Sequence, residues 1–330
     1  MDDQKGKYAM KAAIVLDAGR VPVFGDFKAP VSSADEKLVS VRAAAISQVV
    51  KSRASGKHYS SGNQFPFIVG IDGVGRLDDG RRVYFVLPNA PYGSMAELAA
   101  VRSAQCVELP EELDDVTAAA IANPGMSSWA AYQERAKLRS GETVLINGAT
   151  GTSGRLAVQI ARYLGASKVI ATGRNADSLK DLEGLGADVA IPLVQDKSVL
   201  EDAFKEQFAS GVDIVIDYLW GESAQSLLIA AAKAGKDAVP IRYVQVGSIS
   251  GAEISLPSAV LRSSAITLMG SGIGSIALDR IINATAELLR ATVPGNFKIA
   301  SKTVPLSDVE NAWPLDDSNR RTVFEIGGGA

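Results

Sequence analysis

Residues 143–175 read TVLINGATGTSGRLAVQIARYLGASKVIATGRN. TVLIN, with Val144, Leu145 and Ile146 in succession, reads as a buried strand. GATGTSG follows as a glycine turn. In RLAVQIARYL, Ala157, Ile160, Ala161 and Leu164 recur at helical spacing, Gly165 stops the helix, and KVIAT is the next strand. Gly148, Gly151 and Gly154 therefore stand as G-x-x-G-x-x-G between a strand and a helix. Glycine at that point lets the backbone approach a pyrophosphate, and the helix N-terminus offers free N–H groups and positive potential. With 31 glycines in the chain the motif alone is weak. The strand–turn–helix–strand context makes it a dinucleotide site instead of an empty turn, with Thr150, Thr152 and Ser153 sharing the contact.

The same alternation continues downstream. A helix through residues 179–185, a short VAI strand, a helix around 199–208, the strand VDIVIDY, the helix SAQSLLIAAAKAG and the strand RYVQV imply a parallel sheet with helices on both faces. Upstream, residues 12–16, 37–45, 67–69 and 82–86 are short apolar or alternating runs bounded by turn residues, so the chain reads as irregular β structure to about residue 110. From Asp114 it turns into Ala-rich helix, with Asn123-Pro124-Gly125 as a breaker. From Ile266 come a strand, a GSGIGS loop, a helix over 277–289 and β segments ending in TVFEI. The expected fold class is α/β. Residues 123–267 form a Rossmann-type doubly wound domain, and residues 1–122 and 268–330 together form a β-rich domain.

Composition narrows the function classes. The chain has 330 residues, 34 basic against 37 acidic and a net charge of −3, so there is no electrostatic footprint for nucleic acid. One cysteine, Cys106, and one histidine, His58, exclude an intramolecular disulfide and a closed zinc site of four Cys and His ligands. No apolar run approaches the roughly twenty residues of a bilayer span, and MDDQKGKY lacks the apolar stretch of a signal peptide. A soluble, cytoplasmic protein is expected.

The end of the second strand reports on the choice of dinucleotide. A carboxylate roughly twenty residues beyond the turn would bind the ribose of NAD. The chain instead reads Thr172-Gly173-Arg174-Asn175, with no acid before Asp177. Without that carboxylate a 2′-phosphate meets no repulsion, and Arg174 can clamp it, which favours NADPH over a purely solvated role for Arg174.

Several ordered blocks resemble the medium-chain dehydrogenase/reductase superfamily on its zinc-free quinone oxidoreductase side, over nearly the whole chain. VRAAAISQVVKSRASGKHY (41–59) resembles the segment that carries the first metal ligand in zinc alcohol dehydrogenases, and FPFIVGIDGVGRLDDGRRV (65–83) resembles their G-H-E-x-x-G segment. GSMAEL (93–98), NPGMSSWAA (123–131), GETVLINGATGTSG (141–154) and LGASKVIATGRN (164–175) resemble further family blocks. The departures are chemical. Ser47 stands where the zinc enzymes have a ligand Cys, and Ile71 and Asp72 where they have a ligand His and a Glu; serine and isoleucine are not usable zinc ligands. The resemblance implies a β-rich GroES-like catalytic domain, NADPH as cofactor, and hydride transfer to a quinone or α,β-unsaturated carbonyl whose oxygen is stabilised by hydrogen bonds.

By the same resemblance, Ser47, His58 and its neighbour Tyr59 are candidate catalytic residues. His58 is the one side chain that titrates near neutrality, although its place beside Lys57 and Ser60 equally suits a surface loop. Tyr92 reads as packing. Ser127 falls near the family's nicotinamide site, with helix N-capping as the plain alternative. Gly247 and Ser248 follow a strand at the carboxyl end of the sheet, Ser271 lies in the next such loop, and Asn319 is a loose match to a cofactor contact. Asp213 and Asp217 read as strand-end or turn residues, Cys106 as a buried small residue and not a nucleophile, and the acids at 111–115 as a helix start. An edge strand at 266–270 would pair two copies as a homodimer. The alternatives are an NADPH-binding sensor or partner-binding protein with little turnover, and a reductase of simple aldehydes or ketones. A short-chain reductase is disfavoured, because the turn is not N-terminal and no Tyr-x-x-x-Lys occurs.

Overall fold

The computed structural model describes residues 9–56, 65–316 and 320–327. The chain divides into two compact units. One takes in the chain to Asn123, Ala286–Pro294 and Lys298 onward; the other is Pro124–Thr285 with Gly295–Phe297.

The second unit is built on a six-stranded sheet. Its strands Val189–Pro192, Lys168–Gly173, Thr143–Asn147, Ile214–Asp217, Ile241–Gln245 and Ile266–Gly270 lie side by side in that order, and every pairing is parallel. The chain starts in the middle at Thr143–Asn147, winds out to Val189–Pro192, then returns beside its starting strand and winds the other way. That reversal is the switch point at which doubly wound sheets bind ligands. Leu145, Ile170, Val215 and Tyr243 pack against Phe204, Phe208, Leu227 and Leu228 from two helices, Lys197–Ser210 and Gly221–Ala234. Val144 and Ile146 alternate onto the opposite face and are also fully buried. This double burial is why Val144, Leu145 and Ile146 are apolar in unbroken succession. Among the described residues Ile266–Gly270 pairs on one side only.

The breaker expected at Asn123-Pro124-Gly125 does not break the helix. One helix runs Asp115–Ala130 through Pro124 and continues as a wide π turn, Ala131–Ala136. An internal proline costs ~3 kcal/mol. Here Ala118 to Ala122 are all buried, so packing on every side of the helix outweighs the lost hydrogen bond. The acids at the helix start behave as read: Asp114 Oδ1 accepts the Thr117 N–H at 2.8 Å.

Both ends of the chain meet in the first unit. A seven-stranded sheet runs Ser301–Pro305, Arg321–Glu325, Glu36–Ala45, Asp72–Leu77, Arg82–Val86 and Cys106–Glu108, with Leu98–Arg102 also paired to Glu36–Ala45. Val323 stands opposite Ala45, which joins the C-terminal strand to an N-terminal one. A smaller sheet holds Val23–Lys28, Ala9–Val15 and Phe67–Ile68. Val39, Val41, Phe85, Met95 and Phe324 are among the core side chains. Among the described residues no helix is long and apolar enough to cross a membrane.

One acid is buried in this unit. Tyr84 donates its hydroxyl to Asp72 Oδ2 at 2.9 Å. Burial pushes the Asp72 carboxyl up to about 6, and the Arg321 charge and the Tyr84 hydroxyl pull it back only in part. A folded pKa above the unfolded one favours the folded state at low pH. The gain is full below about pH 4 and lost as pH rises through about 6, by up to about 3 kcal/mol. Carbon-13 NMR of the carboxyl is expected to show a midpoint near 6; a midpoint in the ordinary range near 4 would contradict this burial.

Candidate functional site

The strand Thr143–Asn147 ends in a turn whose glycines are needed for different reasons. Gly148 has φ +88°, and a Cβ there would lie 2.8 Å from Leu219 Cδ2. Gly154 lies inside the first turn of the helix Thr152–Tyr163, and a Cβ on it would sit 2.6 Å from Ala149 Cα. Side chains at these two positions would push the turn apart. Gly151 differs: it caps the helix with φ −76°, and a Cβ would meet nothing. The turn is thus closed toward the protein and open outward at its middle glycine. The helix behind it has no acidic residue in its first turn, so no carboxylate of that turn competes with a bound anion for the positive helix N-terminus.

The neighbouring strand ends beside the turn. A Cβ on Gly173 would collide with the Thr150 methyl. Arg174 is exposed and makes no hydrogen bond or ion pair among the described residues, while Asn175 caps the short helix Ala176–Lys180 by accepting the Ser178 N–H at 2.8 Å. Gly247 lies after Ile241–Gln245, where a Cβ would sit 2.8 Å from the Tyr218 carbonyl oxygen. Ser248 lines a groove of about 370 Å³ with Trp220, Gln245, Met269 and Gly270. The Ser271 N–H donates to the Gln245 carbonyl at 2.9 Å. Thr150, Gly151, Thr152, Ser153, Gly173, Arg174, Asn175, Gly247, Ser248 and Ser271 therefore lie in the turns at the carboxyl end of one parallel sheet. Ser127 is in the same unit, in the middle of the long helix, and donates to the Pro124 carbonyl at 2.7 Å. It is not an N-cap, because the helix begins at Asp115. Asn319, His58 and Tyr59 lie outside the described residues.

A buried polar chain that local sequence did not reveal supports these turns. Thr172 Oγ1 accepts the Gly148 N–H at 3.1 Å and donates to Asn147 Oδ1 at 2.8 Å. Asn147 Nδ2 donates to Asp217 Oδ1 at 2.8 Å and to Ser223 Oγ at 2.9 Å. The same Asp217 oxygen accepts the N–H groups of Leu219 and Trp220 at 2.9 and 3.1 Å, and Tyr243 donates to Oδ2 at 2.9 Å. Burial pushes the Asp217 carboxyl above its ordinary value, and these donors act against the shift. Trp220 has φ +57° and ψ −153°, a conformation that costs a side-chain-bearing residue about 1–3 kcal/mol. The Asp217 bond to its N–H helps hold it there. Tyr218, between them, shares a 2.7 Å hydroxyl contact with Ser128, and burial pushes its phenol up to about 12. Asp213 is the plain strand-end acid it was read as, accepting the Thr143 N–H at 2.8 Å.

In the first unit Ser47 is buried and caps the helix Gln48–Ala54, its Oγ accepting the Val50 N–H at 3.2 Å. That helix forms one wall of a cavity of about 100 Å³, through Val50 and Arg53; Phe67, Ile71, Pro91 and Tyr92 line the rest. Tyr92 also packs edge-on against Phe27, with ring centroids 6.0 Å apart. The Cys106 thiol is half-buried and pushed up to about 11, mainly by burial, so it is unreactive at neutral pH.

Residues 154–291 match the family model described as zinc-binding dehydrogenase. A probable NADPH-dependent quinone reductase of Emericella nidulans is 29% identical over 96% of this chain and 100% of its own length. Human quinone oxidoreductase is 27% identical over 79% of this chain and 80% of its own. Among solved structures, the quinone oxidoreductase of Thermus thermophilus, described together with its NADPH complex, superposes with a TM-score of 0.79 at 24% identity, covering 96% of this chain and 100% of the other. The metal in the family description does not fit the residues present. The Ser47 oxygen is engaged as a helix cap, Ile71 has no donor atom, and no group of three His, Cys, Asp or Glu that could hold a metal occurs among the described residues. With its glycine turn, parallel sheet and β-rich unit formed from both chain ends, the chain is similar to the quinone oxidoreductase-like branch of the medium-chain dehydrogenase/reductase superfamily.

Proposed function

We propose that the protein is an NADPH-dependent oxidoreductase that reduces a quinone or an α,β-unsaturated carbonyl without a metal. The observation that carries this reading is the glycine turn, closed behind Gly148 and Gly154 and open at Gly151. The turn and the N-terminus of helix Thr152–Tyr163 would hold the pyrophosphate, with Thr150, Thr152 and Ser153 around it. Arg174 would clamp the 2′-phosphate with its planar guanidinium, and Gly173 and Asn175 would shape that end. Ser127, Gly247, Ser248 and Ser271 would flank the nicotinamide half, with Asn319 as a further contact. When bound, NADPH supplies a hydride.

The chain's own residues supply the rest. Ser47 accepts a hydrogen bond from the Val50 N–H, so its own proton remains available to a substrate carbonyl oxygen. A hydrogen bond of that kind stabilises the negative charge that develops on an enolate or hydroquinone oxygen. His58, Tyr59 or water returns the proton. A single cysteine suits a reducing, cytoplasmic setting. The strand Ile266–Gly270, unpaired on its outer side, suits a two-fold pairing of copies into a homodimer.

The direct test follows NADPH consumption against a quinone, an enone and a saturated aldehyde. Consumption with the quinone or enone but not the aldehyde is expected. NADPH binding without turnover would replace the reductase by a cofactor-binding sensor, and turnover of the aldehyde alone would replace conjugate reduction by carbonyl reduction.

Two substitutions separate the cofactor site from folding. Gly151→Ala places its methyl in open space, so its stability should stay within about 1 kcal/mol of the parent, while NADPH affinity drops at least tenfold. Unchanged affinity by titration calorimetry would remove the pyrophosphate from this turn. Arg174→Ala should weaken NADPH by roughly tenfold or more, the scale of one charged hydrogen bond, and leave NADH within about twofold. An equal loss for both cofactors would rule out a 2′-phosphate role.

A further inference from the structure

We propose that Tyr218 is a positioning residue for the nicotinamide half of the cofactor, acting by holding Ser128 against the first turn of the helix behind the glycine turn. This rests on the cofactor reading above and goes beyond it, to a residue outside the contacts named there. Parts of the second unit that are distant in sequence meet at the Tyr218 hydroxyl. Tyr218 follows the strand Ile214–Asp217, Ser128 lies on the long helix, and Ser153 lies in the first turn of Thr152–Tyr163. Ser128 is fully buried, and its hydroxyl donates to the Ser153 carbonyl at 3.2 Å and to the Pro124 carbonyl at 3.4 Å. A serine hydroxyl has one proton, so in the 2.7 Å contact between the two side chains Tyr218 donates to Ser128 Oγ. The proton of the neighbouring Ser127 is likewise engaged, on the Pro124 carbonyl at 2.7 Å. The Tyr218 phenol thus fixes the orientation in which Ser128 reaches across to Ser153.

Position along the sheet decides which half of the cofactor feels this link. The strand before the glycine turn, Thr143–Asn147, has Lys168–Gly173 on one side and Ile214–Asp217 on the other. In the reading above Arg174, at the end of Lys168–Gly173, takes the 2′-phosphate, so the adenosine lies on that side. A dinucleotide that crosses the turn then places its nicotinamide on the side of Ile214–Asp217, where Tyr218 stands. A second hydroxyl link joins the same pair of helices one turn further along. There Tyr132, in the π turn that continues the long helix, donates to the Ala157 carbonyl at 3.0 Å. Of the two links, the one through Ser128 ends beside the glycine turn and the one through Tyr132 ends in the interior of the helix. The pair therefore separates an effect on the cofactor from helix packing in general.

The test measures binding of NADPH and of adenosine 2′,5′-bisphosphate to the full-length protein by titration calorimetry. The bisphosphate keeps the 2′-phosphate and lacks the nicotinamide. Tyr218→Phe removes one oxygen atom and is expected to weaken NADPH roughly fivefold, the scale of one hydrogen bond, while the bisphosphate stays within about twofold of the parent. Ser128→Ala should show the same selective loss, and the double variant should bind NADPH no more weakly than either single one, because both substitutions break one link. Tyr132→Phe, which removes the comparable bond away from the turn, should leave both affinities within about twofold. A single cooperative thermal transition shows that a variant is folded; if Tyr218→Phe does not fold, Ser128→Ala decides by the same criterion. Unchanged NADPH affinity in Tyr218→Phe, an equal loss for both ligands, losses that multiply in the double variant, or the same selective loss in Tyr132→Phe overturns the inference and leaves the cofactor reading intact. So does a parent that binds NADPH but not the bisphosphate, because the assignment of the two halves then fails. A parent that binds neither ligand overturns the cofactor reading and the inference with it.

Discussion

The pairing of Asn147 with Asp217 is the constraint on which the cofactor end of this molecule depends. A buried carboxylate is costly unless donors surround it. Asp217 is satisfied by Asn147, Tyr243 and the N–H groups of Leu219 and Trp220. The four donors come from three parts of the sheet: the strand before the glycine turn, the strand on the other side of Asp217's own, and the loop after Asp217, which supplies both Leu219 and Trp220. Through Thr172, Asn147 is also tied to the N–H of Gly148. One acid thus fixes the relative positions of the turn and the loop that closes over it, where Leu219 fills the space a side chain at Gly148 would need. Removing one partner of such a network leaves the others buried and unpaired, which is why it behaves as a unit.

How much of this was legible in the sequence depends on whether the controlling interaction is local. The strand at residues 82–86 and the alternation of strand and helix after residue 143 follow from side-chain period and turn residues, and the structure places them accordingly. Gly148 and Gly154 were legible because only glycine fits a positive φ or a backbone contact that close. Asp217 was read as a strand-end residue. Its partners come from 70 residues earlier and 26 residues later, and no local pattern announces them. Pro124 failed in the opposite sense, since the local rule is sound but burial of the surrounding alanines overrides it. Ser127 followed that error, becoming a mid-helix residue instead of a cap. Trp220 has a backbone conformation that no rule assigns to tryptophan.

The two units carry different kinds of chemistry. The parallel sheet offers N–H groups, a helix terminus and an exposed arginine, all suited to phosphate. The β-rich unit offers a small cavity whose described walls are mostly apolar, and a serine whose oxygen is used as a cap. In the function proposed above, with Ser47 and Ile71 where the resembling zinc enzymes hold their metal, charge on a substrate oxygen would be met by hydrogen bonds. Such bonds would suffice for an enolate or hydroquinone, whose charge is delocalised, which is why the proposal takes conjugated acceptors over simple ones.

Isotope transfer tests that claim most directly. With NADPH carrying deuterium at the transferable C4 position and an enone as acceptor, the account predicts deuterium at the β-carbon of a saturated ketone, read by proton NMR of the product. Deuterium on the carbonyl carbon of an unsaturated alcohol would contradict conjugate reduction.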